Sequence, residues 1–467
     1  MASTTVDDAG TKKFVLLITT LAAFLSPFGT SSVNIALPSI GKEFLIDAIL
    51  LSWVTTAHLL ATAIFLVPFG KIADLYGRRR IFTYGILTFT LASIGSSLST
   101  SAMMLIFFRI LQGMGSAAIY PIGAAMLTSV FPSTELGKVL GINVAAVYLG
   151  GSLGPFLGGF LTHHLGWRSI FFLNVILGLT IIVFIFWKLK GEWYEGEESK
   201  FDLVGSILYS FTLLLIMYGF FHLSTMLGFW LILFGALGMG AFMKWEIKVE
   251  DPVLDLHLFK ENKLFVLSNL ATLINYSATF AVTFLLSLYL QYIKKLTPEN
   301  AGLILVSQPM VQAFFSPFAG KLSDRIEPRI VASTGMALTS VGLFLLAALD
   351  EKTGLGFAVA SLILLGFGFA LFSSPNTNAV MRSVGNRFYG VASGTLSTMR
   401  VVGMVFSMGI TTQVLSLYVG KVQITPEYFP AFLSGQRLGF TFFALLCVGG
   451  TLTSLARGKV RPPGRKP

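Results

Sequence analysis

Long unbroken apolar runs, rather than alternation or one-sided stripes, organise this chain. Fourteen follow one another, at residues 14–37, 49–69, 81–99, 103–127, 139–162, 169–188, 203–221, 226–243, 264–291, 301–319, 330–349, 355–376, 390–417 and 438–456. A helix of roughly 20 apolar residues crosses a hydrocarbon core. Barrel strands are about half that long. Lipid offers no partner to a backbone N–H or C=O, so the runs are predicted to be helices that satisfy their own backbones. The polar intervals divide them. Six runs precede the polar stretch Lys188–Asp202, and a tight pair follows with only His222–Thr225 between its members. A charged stretch, Lys244–Lys263, contains Pro252 and is expected to lie along the membrane surface before six more runs. The expected organisation is a six-helix bundle at 1–188, a two-helix insertion with its linkers at 189–263, and a second six-helix bundle with a basic tail at 264–467.

The two sets of six echo each other. Gly70-Lys71-Ile72-Ala73-Asp74 returns 250 residues later as Gly320-Lys321-Leu322-Ser323-Asp324. Gly113-Met114-Gly115 with Pro121 beyond it returns at Gly366-Phe367-Gly368 with Pro375, and Gly137 and Gly141 return at Gly390 and Gly394. Three echoes at nearly one period predict a parallel internal repeat, a construction used by one large class of transporters. Both Gly-Lys-x-x-Asp copies read as polar loops between apolar runs.

Composition agrees and charge adds an orientation. Of 467 residues, 54% are hydrophobic and 12% charged, where a soluble domain carries about 25% charged; the mean hydropathy is +0.78. The net charge of +11 could suggest nucleic acid, but its placement argues otherwise. With alternating loops, 24 of the 33 Lys and Arg fall on the side of the N-terminus, 7 on the other side and 2 inside runs. That bias predicts cytoplasmic termini and a cell-membrane location, and the tail from Arg457 to Lys466 reads as an anchor on the lipid surface. The first run lacks a cleavage-type end and is expected to remain as a span. Cys447 is the one cysteine, which excludes an intrachain disulfide. No metal cluster, nucleophile–base pair or phosphate-binding loop stands out, so neither an enzyme nor a cofactor is expected.

Several motifs together resemble the major facilitator superfamily, and more narrowly its fourteen-span drug:proton antiporter branch. Gly70 to Arg80 matches the loop between the second and third spans. Arg109-Ile110-Leu111-Gln112-Gly113-Met114-Gly115 matches the fourth-span motif, and Gly150 to Gly159 matches the fifth-span motif of exporters. Val33-Asn34-Ile35-Ala36-Leu37-Pro38 matches the end of the first-span motif, and Trp167 to Asn174 the start of the sixth span. The resemblance covers essentially the whole chain. It implies an all-α polytopic fold of two six-helix bundles plus two inserted helices, working as a monomer on a small-molecule substrate. It also links the arginine of the fourth-span motif, here Arg109, with proton movement.

The residues carry their own reading. Gly70, Asp74 and Arg78, with Gly320 and Asp324, are candidates for gating, because a carboxylate there can pair with an arginine and hold one side shut. Gly150, Gly154 and Gly158 share a helix face that lets a neighbour approach, Pro155 bends the helix, and Gly154 and Pro155 join the gating candidates. Arg109 and Arg400 lie inside runs, where an arginine is costly and marks function. Polar stripes predict a wet central cavity. They include Thr30 and Asn34; His58; Gln112, Ser116 and Tyr120; Asn269, Thr272 and Tyr276; and Gln308 and Gln312.

One departure bears on mechanism. The antiporter branch carries an Asp five residues before the motif asparagine, and this chain has Gly29 there. All 22 Asp and Glu fall in loops, tails or run edges. Apart from Arg109, the remaining coupling candidate is His58, whose ordinary pKa lies near working pH. The expected substrate is therefore a neutral or anionic amphiphile rather than a lipophilic cation. The leading expectation is a proton-driven multidrug exporter. Alternatives are a proton-independent facilitator or exchanger and, more remotely, a membrane sensor that does not transport.

Overall fold

The computed structural model describes residues 9–189, 191–193, 201–223, 225–253, 262–385 and 389–458. They form helices and no strand. The first six are α1 (Ala9–Phe44), α2 (Ala48–Tyr76), α3 (Arg78–Ser97), α4 (Ala102–Val130), α5 (Ser133–Leu165) and α6 (Arg168–Lys188). The hairpin is α7 (Leu203–Phe221) and α8 (Met226–Glu246). The ninth span is broken into α9 (Lys263–Thr279) and α10 (Ala281–Leu288), the latter ending in a π turn at Tyr289–Ile293. The tenth comprises α11 (Pro298–Leu305) and α12 (Ser307–Arg325). Then come α13 (Pro328–Ala347), α14 (Leu355–Arg382), α15 (Tyr389–Tyr418) and α16 (Phe429–Ala456).

Thirteen of the fourteen spans are long and apolar enough to cross a membrane by composition alone. The exception is α3, whose first turn is Arg78-Arg79-Arg80 and whose body carries Ser, Thr and Gly. Polar side chains mark the helix starts, since the first N–H groups of a helix have no partner within it. Asp47 Oδ1 accepts from the Ile49 and Leu50 amides at 2.9 and 2.8 Å, Asp202 from Gly205 at 2.8 Å, and Asn262 from Phe265 at 2.9 Å.

The repeat is visible in packing. In the first six spans α1 packs on α5 and α6, α4 on α2 and α3, and α3 on α6. In the last six α9 packs on α15 and α16, α14 on α12 and α13, and α13 on α16. Glycines make the same contacts in each set. A Cβ at Gly113 would sit 2.3 Å from the His58 carbonyl oxygen, and one at Gly366 would sit 2.3 Å from that of Gln308. His58 and Gln308 are thus counterparts, 250 residues apart. The Gly150–Gly154–Gly158 face lies on α1, against the Phe24 carbonyl oxygen, Ser31 and Ser32. The two sets meet along α2–α15, α5–α11 and α1–α10. The hairpin rides on the first of these seams: Tyr209 and Ser210 donate to carbonyls of α2, and Gln413 of α15 donates to the Phe220 carbonyl of α7 at 3.1 Å.

Two sequence expectations need correction. The Gly-Lys-x-x-Asp segments are not loops. Both continue helices, α2 and α12, and the chain turns only at Gly77, where φ is +110°, and at Ile326–Glu327. A helix continues past the hydrocarbon edge when its charged residues project sideways into water, and hydropathy alone cannot see this. Arg457 is not an exposed anchor. It is 2% exposed, and its Nη1 donates to Asn376 Oδ1 of α14 and to Ser268 Oγ of α9, the latter at 3.3 Å. The rest of the basic tail, from 459 onward, lies outside the described residues.

Candidate functional site

Arg400 of α15 stands at the middle of the seam between the two six-helix sets. Its Nη2 donates to Thr377 Oγ1 of α14 at 3.1 Å. Its guanidinium lies 5.8 Å from the centre of the Tyr276 ring of α9, within cation–π range. Tyr120 of α4 and Tyr148 of α5 bring two further phenols close enough to interact with the same charge. The Tyr148 hydroxyl bonds Ser373 of α14 across the seam, and Phe369 packs edge-on to Tyr276 with ring centres 5.4 Å apart. One cation and three phenols, drawn from both sets, thus share one site. Arg400 is half-buried, and its Nε has no hydrogen-bond partner among the described residues. A desolvated donor of this kind favours an acceptor, and a charged acceptor most.

The seam is joined from mid-membrane to the face opposite the chain termini. The Ala48 amide donates to the Val422 carbonyl at 3.1 Å. Ser52 and Thr412 share a hydrogen bond of 2.9 Å, and Gln291 Nε2 donates to the Ile35 carbonyl at 2.8 Å. Nearer the terminus-bearing face, open space adjoins Gly141 of α5 and Gly390 and Gly394 of α15.

A second polar group lies inside the first set. Arg109 is fully buried. Its Nε donates to the Val54 carbonyl of α2 at 3.0 Å and its Nη1 to Gln112 Oε1 at 2.6 Å. Gln112 Nε2 donates to Ser93 Oγ of α3 at 2.8 Å. His58 is 2% exposed, and its Nδ1 has no partner among the described residues. Arg109 and Gln112 thus face the packed interior of α2, α3 and α4, more than two helical turns from Tyr120.

The other candidates divide similarly. Ser116 accepts from Ser26 at 2.8 Å, and the Tyr120 hydroxyl reaches Ser26. Thr30 bonds the Ser26 carbonyl of its own helix at 3.0 Å. Asn34 accepts from Thr55 at 2.7 Å, tying α1 to α2. Asn269 bonds its own helix at Phe265. Thr272 accepts from Asn376 at 2.8 Å. Gln308 is half-buried and Gln312 is 8% exposed on the α11–α12 span.

Residue patterns had not singled out Tyr148, Ser373, Asn376 or Thr377. The last three belong to Ser373-Ser374-Pro375-Asn376-Thr377-Asn378, a polar run inside an apolar one, and that signal could have found them. Tyr148 stands alone and carried none.

At the terminus-bearing face, Arg78 Nε donates to Asp74 Oδ1 at 2.9 Å, and its Nη1 bonds the Ala125 carbonyl of α4 at 3.2 Å and Ser129 Oγ. Asp324 of α12 pairs with Arg382 of α14 at 2.7 Å. Asp324 thus ties α12 to α14, and Asp74 reaches α4 through Arg78. Gly70 faces Pro121, and Gly320 faces Ser374. At Gly29 a Cβ would lie 3.0 Å from Asn174 Nδ2. Asn174 is fully buried, and its amide has no partner among the described residues.

Two six-helix sets related by a parallel repeat, with a mixed polar site on the seam between them, define a membrane-transport architecture. The family model described as Major Facilitator Superfamily matches residues 19–245 and 269–467, and the chain belongs to that family. It is 32% identical over 403 residues to the riboflavin transporter RibZ of Clostridioides difficile, covering 85% of this chain and 86% of that protein. It is 29% identical to the multidrug resistance protein Stp of Mycobacterium tuberculosis, over 88% of this chain and 77% of the other. The corresponding figures for the tetracenomycin C resistance and export protein of Streptomyces glaucescens are 27%, 87% and 76%. Among solved structures, a bacterial homologue of the human lysosomal transporter Spinster, inward-facing and unoccupied, superposes with a TM-score of 0.66 at 16% identity, covering 96% of this chain and 97% of that one. A POT family transporter in complex with 5-aminolevulinic acid gives 0.70 at 14%, with 94% of each chain covered. These two establish the fold.

Proposed function

We propose that this transporter exports small amphiphilic molecules, neutral or anionic, by alternating access about the Arg400 site. The carrying observation is the site itself: a guanidinium with a spare donor among three phenols, contributed by both six-helix sets. Relatives named for drug resistance and export support the direction, and a relative named for riboflavin supports a substrate other than a lipophilic cation. Charge bias in the connecting segments supports cytoplasmic termini. Proton coupling is assigned to the His58–Arg109 group, which is buried and polar. In the division of labour proposed, residues 1–188 and 264–467 rock about the site while the hairpin within 189–263 braces the α2–α15 seam.

The placement of every carboxylate outside the run centres favours one second reading, a facilitator or exchanger independent of protons. Reconstitution in liposomes with an imposed pH gradient decides between them. The expected result is gradient-dependent uphill movement of a neutral or anionic aromatic probe, abolished by a protonophore, with ethidium moved poorly. Uphill movement that survives the protonophore selects the exchanger. Efficient efflux of ethidium overturns the charge preference.

A further inference from the structure

The end of α5 and the start of α11 belong to different halves and are pressed together at the face opposite the termini. A Cβ at Gly159 would lie 2.4 Å from the Pro298 carbonyl oxygen, and one at Gly302 would lie 2.3 Å from that of Pro155. Directly beyond this close contact, His164 Nε2 of α5 lies 3.2 Å from Glu299 Oε2 of α11. His163 stands beside it, the two imidazole rings 4.8 Å apart and nearly perpendicular. One ligand atom each from His163, His164 and Glu299 falls within 4.8 Å of the others. Phe160 packs on the His164 ring at 4.6 Å between centres, which holds that ring over the seam.

Two imidazoles and a carboxylate are the donor set of an open zinc site, with water as the fourth ligand. Bonds of about 2.0–2.2 Å in a tetrahedron place ligand atoms roughly 3.4 Å apart. The His164–Glu299 separation is already there. The third ligand needs at most about 1.4 Å of closure, from within 4.8 Å to roughly 3.4 Å, which rotation of surface side chains supplies at little cost. Imidazole also suits nickel and copper.

We propose that His163, His164 and Glu299 form a transition-metal site that clasps the two halves together on the face opposite the termini. Its ligands come from both sides of the seam, so the metal binds only while that face is shut. By linkage it suppresses opening by the factor one plus metal concentration over its dissociation constant. Metal binding stands without the transport reading; the effect on opening rests on alternating access.

The test uses the full chain in detergent with Cys447→Ser and Ser52→Cys. Ser52 is buried against Thr412 at the shut seam, so a maleimide reaches it only when the seam opens. Zinc at ten times its dissociation constant should slow labelling about tenfold and raise the melting temperature. His164→Ala and, as a second variant of smaller structural effect, Glu299→Gln should each abolish both effects. Equal zinc effects in the parent and both variants would place the metal elsewhere and overturn the clasp, as would the lack of any effect in the parent. Zinc-dependent stabilisation that is lost in both variants, with no labelling in any state, would uphold the site and defeat alternating access instead.

Discussion

At the scale of single residues, the proposed function turns on two positions. Thr377 and the Tyr276 face engage the Arg400 guanidinium, and its Nε has no hydrogen-bond partner among the described residues. A hydrogen bond to a charged partner contributes about 1.5–3 kcal/mol. Arg400→Gln should therefore raise the dissociation constant for an anionic aromatic ligand by roughly 10- to 100-fold while changing that of its neutral analogue little; direct binding measurements on the matched pair check this. Gly29 is the other. Its Cα faces the Asn174 amide, so a carboxylate there would gain a donor and would supply the acid that the membrane centre lacks. Gly29→Asp should shift preference toward lipophilic cations, read as ethidium efflux by cells. Arg109 was legible from the fourth-span motif, but its burial among α2, α3 and α4 was not. Helical spacing places Arg109, Gln112, Ser116 and Tyr120 on one stripe, yet Arg109 and Gln112 pack against α2 and α3, Ser116 bonds Ser26 of α1, and of the four Tyr120 reaches the Arg400 site.

At the scale of elements, each of the two aspartates makes an ion pair within its own half, and both are proposed to act at the gate. Asp74→Asn removes the charge opposite Arg78, and because the pair is partly exposed its direct effect on stability should be small. The expected outcome is normal membrane expression with a lower transport rate. An unchanged rate would remove Asp74 from the gate. Helix contacts predict differently. Gly113 meets the α2 backbone with no room for a methyl group, so Gly113→Ala should cost about 1–3 kcal/mol of stability. Gly366→Ala should behave alike, as a repeat requires, and thermal unfolding of both variants checks the symmetry. In the turn between α13 and α14, Asp350 Oδ1 accepts from the Lys352 amide at 2.8 Å and from the Thr353 amide and hydroxyl at 2.6 Å each. The Thr353 bonds hold its carboxyl below the ordinary value of 3.8. The folded state therefore favours the charged form, and its contribution is present above that value and fades as pH falls through the folded pKa. Asp350→Asn should lower the melting temperature at neutral pH, with the difference shrinking in acid.

At the scale of the whole molecule, the proposed alternating access requires the two sets of six helices to move against each other. Hydrogen bonds such as Ser52–Thr412 and Gln291–Ile35 join them between mid-membrane and the face opposite the termini. The hairpin α7–α8 bonds both α2 and α15, so its removal should loosen that seam. A chain lacking residues 203–246 is expected to label faster at Ser52→Cys than the intact protein.

The number of spans, the parallel repeat and the membrane class were determined by the sequence alone, while the breaks in the ninth and tenth spans were not. Each follows from properties local to a segment: run length, hydropathy, and a motif with its echo. Family membership followed from the same motifs. Which polar residues meet was decided only in three dimensions. Arg400, Tyr120, Tyr148 and Tyr276 come from four helices as much as 280 residues apart in the chain, and no spacing rule connects them. The Gly-Lys-x-x-Asp segments ran on as helix because backbone hydrogen bonding persists where hydropathy ends. Arg457 turned inward because Asn376, on another helix, offered its charge a partner.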